Sequence, residues 1–102
     1  MLDQKIINDV RFFIEQIKYE INIHSVYVFG SHARSANTEQ SDIDVAIVSD
    51  SFEGFVFSDN EKILSKTKNI NRMIESHPFR TEDFTEENPF VESIIKTGVK
   101  IY

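Results

Sequence analysis

Residues Val26 to Val48 read VYVFGSHARSANTEQSDIDVAIV, and the organisation of the chain follows from this stretch. Val26, Tyr27, Val28 and Phe29 form a short apolar run, as a buried strand does, and the run ends at Gly30-Ser31. A second apolar run opens at Ile43, flanked by Asp42 and Asp44. On a strand, residues two apart leave the same face, so Asp42 and Asp44 are expected to point together while Ile43, Val45 and Ile47 point to the core. Two carboxylates roughly 5–7 Å apart on one strand face repel each other unless a cation lies between them. Hard oxygen donors of this kind suit magnesium, which keeps its remaining positions for water and substrate phosphates. Glycine at the corner permits a tight turn and close backbone approach to a ligand. A short helix starting at Ser31 or His32 would add N–H groups and a positive dipole end for an anion such as a triphosphate.

Each feature alone has an ordinary explanation, since an isolated Asp-x-Asp is commonly a solvated strand end. The combination is more specific. The spacing from Gly30-Ser31, across His32 to Ser41, to Asp42-x-Asp44 resembles the signature of the DNA polymerase beta-like nucleotidyltransferases. The small size resembles the minimal nucleotidyltransferases of that superfamily, which are often encoded beside a toxin of the HEPN class (higher eukaryote and prokaryote nucleotide-binding domain). The similarity is strongest from Val28 to Val48 and is visible again in the closing NPFVESIIKTGVKIY.

At 102 residues the chain is expected to be a single nucleotidyltransferase domain, 1–102, without room for a separate recognition domain. The acceptor substrate would then be selected mostly by a partner. A net charge of −6 argues against a general nucleic-acid-binding surface and suits a basic partner. There is no cysteine, hence no disulfide framework or thiolate metal site. Asp3, Asp9 and Glu15 interrupt the N-terminal apolar pattern, which is unlike a secretory signal, and no run approaches the ~20 apolar residues of a membrane span. A cytoplasmic protein that binds no membrane is expected.

Leu2, Ile6, Val10, Phe13, Ile14 and Ile17 recur at three and four residues, which predicts an amphipathic first helix. Tyr19 to Ser25 leads into the first strand, with His24 as a polar edge residue. Past Ser31, residues His32 to Ala36 are expected to form a short helix. Arg34 matches a basic position of the resembled family and would contact phosphate, or else pair with Glu39 on the surface; His32 is a variation. Ser35 stands where relatives often have glycine.

Phe52, Phe55, Val56 and Phe57 surround Gly54 and read as a core lid or a contact patch. Ser58-x-x-Glu61 reads as a capping box for a second helix buried through Ile63, Leu64 and Ile70. Asn71 to His77 suits a third strand ended by Pro78. Relatives carry a third carboxylate on a strand beside the Asp-x-Asp strand; Glu75 is the first candidate, with Asp83 and Glu82 as alternatives, since Phe79 to Phe84 could continue the strand after Pro78. His77 is close enough to share the cleft, although a strand-end histidine is usually structural. Asn88-Pro89 caps a last helix through Phe90, Ile94 and Ile95 that stops at Gly98, and Val99 to Tyr102 can dock as a final strand.

These readings predict an α/β fold with a mixed sheet flanked by helices. The resemblance implies a magnesium-dependent enzyme that moves a nucleoside monophosphate, AMP from ATP, onto a hydroxyl. Catalysis would rest on Asp42, Asp44 and Glu75 holding two magnesium ions about 4 Å apart, with Gly30, Ser31 and Arg34 on the nucleotide. For members paired with HEPN toxins, the implied acceptor is a toxin tyrosine and the implied role is that of an antitoxin. Two other readings stand beside it. One is a non-catalytic module that neutralises its partner by contact, and the other is transfer to a small molecule.

Overall fold

The computed structural model describes residues 2–38, 41–65 and 71–102. Four strands, β1 (Ile23–Phe29), β2 (Ile43–Ser49), β3 (Ile74–Arg80) and β4 (Val99–Lys100), form one sheet in the order β3-β2-β1-β4. β1 pairs antiparallel with β2 and β4, whereas β2 and β3 run parallel, so the sheet is mixed. Helices α1 (Gln4–Ile17), α2 (Val56–Leu64) and α3 (Pro89–Thr97) flank it, giving the α/β architecture that the sequence predicts.

Strand alternation divides the apolar residues between two faces. Val28, Ile43, Val45 and Ile47 meet Val10, Phe13, Ile14 and Ile17 of α1, together with Phe52 and Ile63, in the main core. On the opposite face Phe29 and Ala46 pack with Ile94 of α3, bordered by Tyr27, Phe79 and Phe84. Asp3 caps α1 by accepting from the Lys5 N–H at 2.8 Å, and Asn88 caps α3 by accepting from the Phe90 N–H at 2.9 Å. Gly98 ends α3 without a left-handed turn (φ −80°). Its need for glycine is spatial, because a Cβ there would strike the Ile94 carbonyl and crowd that of Val28.

Several expectations require correction. β1 begins at Ile23, so His24 and Ser25 already belong to it. Residues 30–35 form hydrogen-bonded turns instead of a short helix, with Arg34 N–H donating to Gly30 O and Ala36 N–H to Ser31 O. α2 starts at Val56, and the capping box does not form: Ser58 Oγ donates to the Phe55 carbonyl. Asp59, only 2% exposed, instead accepts from the N–H groups of Glu53 at 3.0 Å and Gly54 at 2.9 Å, tying the loop to the helix. Ile63 is buried but Leu64 is exposed, and Ile70 lies outside the described residues. Of the four apolar loop residues only Phe52 joins the core; Phe55, Val56 and Phe57 are 70%, 63% and 79% exposed.

β3 begins at Ile74 rather than Asn71, and Pro78 does not end it: the strand continues to Arg80, part of the way along the Phe79–Phe84 extension that the sequence allowed. Ile43 N–H donates to Met73 O, and the Ile43–Ile74 register then turns the odd-numbered peptides of β3 toward β2. Pro78 therefore presents its donorless nitrogen to the open edge, where a proline removes no ladder bond.

Candidate active site

Phe29, Asp44 and Glu75 form one row across three strands, since Asp44 is the register partner of Phe29 on β1 and of Glu75 on β3. The row ends the second face of the sheet beyond the aromatic packing, where Asp44 is half-buried and Glu75 exposed. Gly30 follows Phe29 and turns the chain with φ +78°. A Cβ built on Gly30 would lie 2.5 Å from Asp44 Oδ2, so the glycine provides both the conformation and the space for that carboxylate.

The loop that leaves this corner is pinned at its base. His32 Nε2 lies 3.1 Å from the Ser41 carbonyl, joining the residue after Ser31 to the residue before Asp42. Ser41 Oγ accepts from Thr38 N–H at 2.8 Å. Ser35, at the position noted for glycine, adopts φ +57°, so this chain places a serine in the left-handed region. Ser31 is half-buried at the corner and Arg34 is exposed; the alternative partner of Arg34, Glu39, lies outside the described residues.

The three acids considered as third carboxylate occupy different surroundings. Glu75 stands beside Asp44. Asp83 and Glu82 fall in a single turn after β3 (Thr81–Asp83), and both are held by Arg80. Arg80 Nε donates to Asp83 at 2.7 Å and its second guanidinium nitrogen at 3.0 Å, while Glu82 is 3.2 Å from the third. The hydrogen bonds from Arg80 hold the Asp83 carboxyl below the usual carboxylate range.

His77, near enough to share the cleft but read from the sequence as structural, joins the cluster. Its Nε2 donates to Asp44 Oδ1 at 3.1 Å and lies 4.0 Å from Glu75 Oε1, and its ring meets Phe29 edge-on at 5.0 Å between centroids. One donor atom from each of Asp44, Glu75 and His77 lies within 4.8 Å of the others. The signal was the two-residue alternation that pairs Asp42 with Asp44, which equally puts Glu75 and His77 on one face of β3.

Asp42 is exposed just before β2 and is not part of that close group. It shares an open cleft of about 300 Å³ with Glu75, Arg72, Asn60 and Leu64. Glu75 thus borders both the Asp44–His77 cluster and the cleft that Asp42 lines. Two carboxylates and an imidazole around one point can hold a divalent cation, and the oxygen donors fit magnesium.

The profile of the family described as "Polymerase beta, Nucleotidyltransferase" matches residues 13–102. Among curated proteins none matches the chain. A solved structure of a candidate nucleotidyltransferase from Sulfolobus solfataricus is similar in fold, with a TM-score of 0.68 and 19% sequence identity over 94% of this chain and 78% of that one.

Proposed function

Since the chain belongs to the polymerase beta nucleotidyltransferase family, we propose that it transfers AMP from ATP, with magnesium, to a hydroxyl of a partner protein. The observation that carries this reading is the Asp44–Glu75 register pair set against the Gly30 corner. Asp42, Asp44 and Glu75 would hold the metal. When bound, magnesium neutralises charge on the phosphate oxygens and promotes ionisation of the attacking hydroxyl.

The remaining roles fall to the chain itself. Gly30 admits the phosphates close to the backbone and keeps the space around Asp44 clear. Ser31 donates its hydroxyl to a phosphate oxygen, and the exposed Arg34 adds positive charge from the same loop. The acceptor oxygen attacks the α-phosphorus, the bond to the β-phosphate oxygen breaks and pyrophosphate leaves. Glu75 faces solvent and takes the acceptor proton on its carboxylate.

For the acceptor we propose a tyrosine of a HEPN-type toxin, the modification silencing it, with the chain acting as an antitoxin in the cytoplasm. The support is chemical: an acidic chain with net charge −6 and an exposed Phe55-Val56-Phe57 ridge fits a partner with basic and apolar surface. That same ridge favours the second reading, a module that neutralises the partner by contact alone. Intact-mass spectrometry of the partner after incubation with magnesium-ATP distinguishes them. Transfer adds the mass of one or more AMP units, whereas an ATP-independent silent complex of unchanged mass overturns the enzyme reading.

A further inference from the structure

We propose that His77 is a nitrogen ligand of the metal held by Asp44 and Glu75, and that it turns the site toward manganese over magnesium. The inference rests on the reading of Asp44 and Glu75 as metal ligands and goes beyond it in the donor set. Donor bonds of roughly 2.0–2.2 Å place neighbouring ligand atoms about 3 Å apart and opposed ones about 4 Å apart. His77 Nε2 is 3.1 Å from Asp44 Oδ1 and 4.0 Å from Glu75 Oε1, so a rotation of the Asp44 carboxyl off the N–H axis lets the three donors surround one ion.

The imidazole is also held in place. Its ring packs edge-on against Phe29, a buried residue of the second core, so the nitrogen is directed at Asp44 by packing as well as by its hydrogen bond. At present the Nε2 hydrogen bridges to Asp44 Oδ1. On binding, the ion takes the place of that hydrogen at Nε2, and the ring carries its hydrogen at Nδ1. Magnesium prefers oxygen donors and keeps much of its water, whereas nitrogen donors favour first-row transition ions, of which manganese is the one that also suits carboxylates.

The experiment uses the whole chain with manganese chloride alone, without nucleotide or partner. Pulsed electron paramagnetic resonance of the bound manganese should show coupling to an imidazole nitrogen. His77→Gln should remove the coupling and weaken manganese at least tenfold in titration, with magnesium affinity changed less than threefold. His77→Phe, which keeps a ring against Phe29, should behave alike, and circular dichroism checks that both variants fold. Absence of nitrogen coupling in the wild type, absence of bound manganese at millimolar metal, or unchanged manganese affinity in a folded variant overturns the proposal. Coupling to His77 in a protein that transfers no AMP leaves the metal site standing and removes the transfer reading instead.

Discussion

Glu75 and Asp44 are cross-strand partners in the parallel pairing of β2 and β3, so sheet register, not loop conformation, holds the two acids together. Asp44→Asn and Glu75→Gln should each lower AMP transfer at least 100-fold, in line with removal of a metal ligand or proton acceptor. Neither should shift the thermal midpoint by more than a few degrees, because neither side chain belongs to the apolar core. Transfer at the wild-type rate by either variant would remove that residue from the site. Loss with Asp83→Asn but not with Glu75→Gln would move the third acid to the turn after β3.

At the corner, Gly30→Ala meets two obstacles, a left-handed φ and the Asp44 carboxylate. It should cost about 1–3 kcal/mol of stability and most of the activity. Ser31→Ala, in contrast, should leave folding intact and weaken magnesium-ATP by about 1.5–3 kcal/mol, the range for a hydrogen bond to a charged group. Calorimetric affinities equal to wild type in both variants would detach the corner from nucleotide binding.

How much of this was legible beforehand varies with the physics of each residue. α1, α3 and the two apolar strand runs on either side of Gly30 and Asp44 follow from periodicity and capping residues, which are local, whereas the mixed sheet rested on the resemblance to the polymerase beta-like fold. His77 lay on the expected strand with Glu75 and was read as structural because a strand-end histidine usually is; its bond to Asp44 depends on the parallel β2–β3 register, which is long-range. The start of α2 was misplaced for a related reason. Ser58 carries a capping signature, but the buried Asp59 satisfies Glu53 and Gly54 instead, and burial is not visible in a motif. The choice among Glu75, Glu82 and Asp83 depends on strand register and on Arg80, both long-range or conformational facts.

Ser35 offers a test of the loop without touching the acids. With φ +57°, a β-branched residue is disfavoured there and glycine is not. Ser35→Val should lose about 1–2 kcal/mol in urea unfolding, and Ser35→Gly should be no less stable than the wild type. The reverse order would show that the turn does not hold this conformation in solution.

Acid stability should register the tie between α1 and the segment that leads into β3. Asp9 accepts from Lys5 and from Asn71, each at 2.9 Å, and these bonds hold its carboxyl below the usual range. A depressed folded value contributes stability that is full above the unfolded value of about 3.9. It is lost as pH falls through the lower folded value. Asp9→Asn should therefore lower the melting midpoint at pH 7 by a few degrees and flatten its fall between about pH 4 and pH 2. Parallel curves for the two proteins would refute the assignment.

The ridge on α2 can be probed by charge. Phe57→Asp places a carboxylate on a side chain that is 79% exposed, so the fold should tolerate it. Partner binding by calorimetry should weaken at least tenfold if the ridge is the contact. An unchanged affinity would send the partner to another face.

The proline in β3 has a consequence outside catalysis. An outermost strand normally displays a row of unsatisfied amides, which invites another chain to add on and begin a fibril. Here the strand that carries Glu75 and His77 lacks a donor at its next position, Pro78, and ends in the charged Arg80. A foreign strand would lose a bond where pairing would have to continue. The reactive acid can therefore sit at the rim, open to an acceptor hydroxyl, on a strand that is a poor template for aggregation.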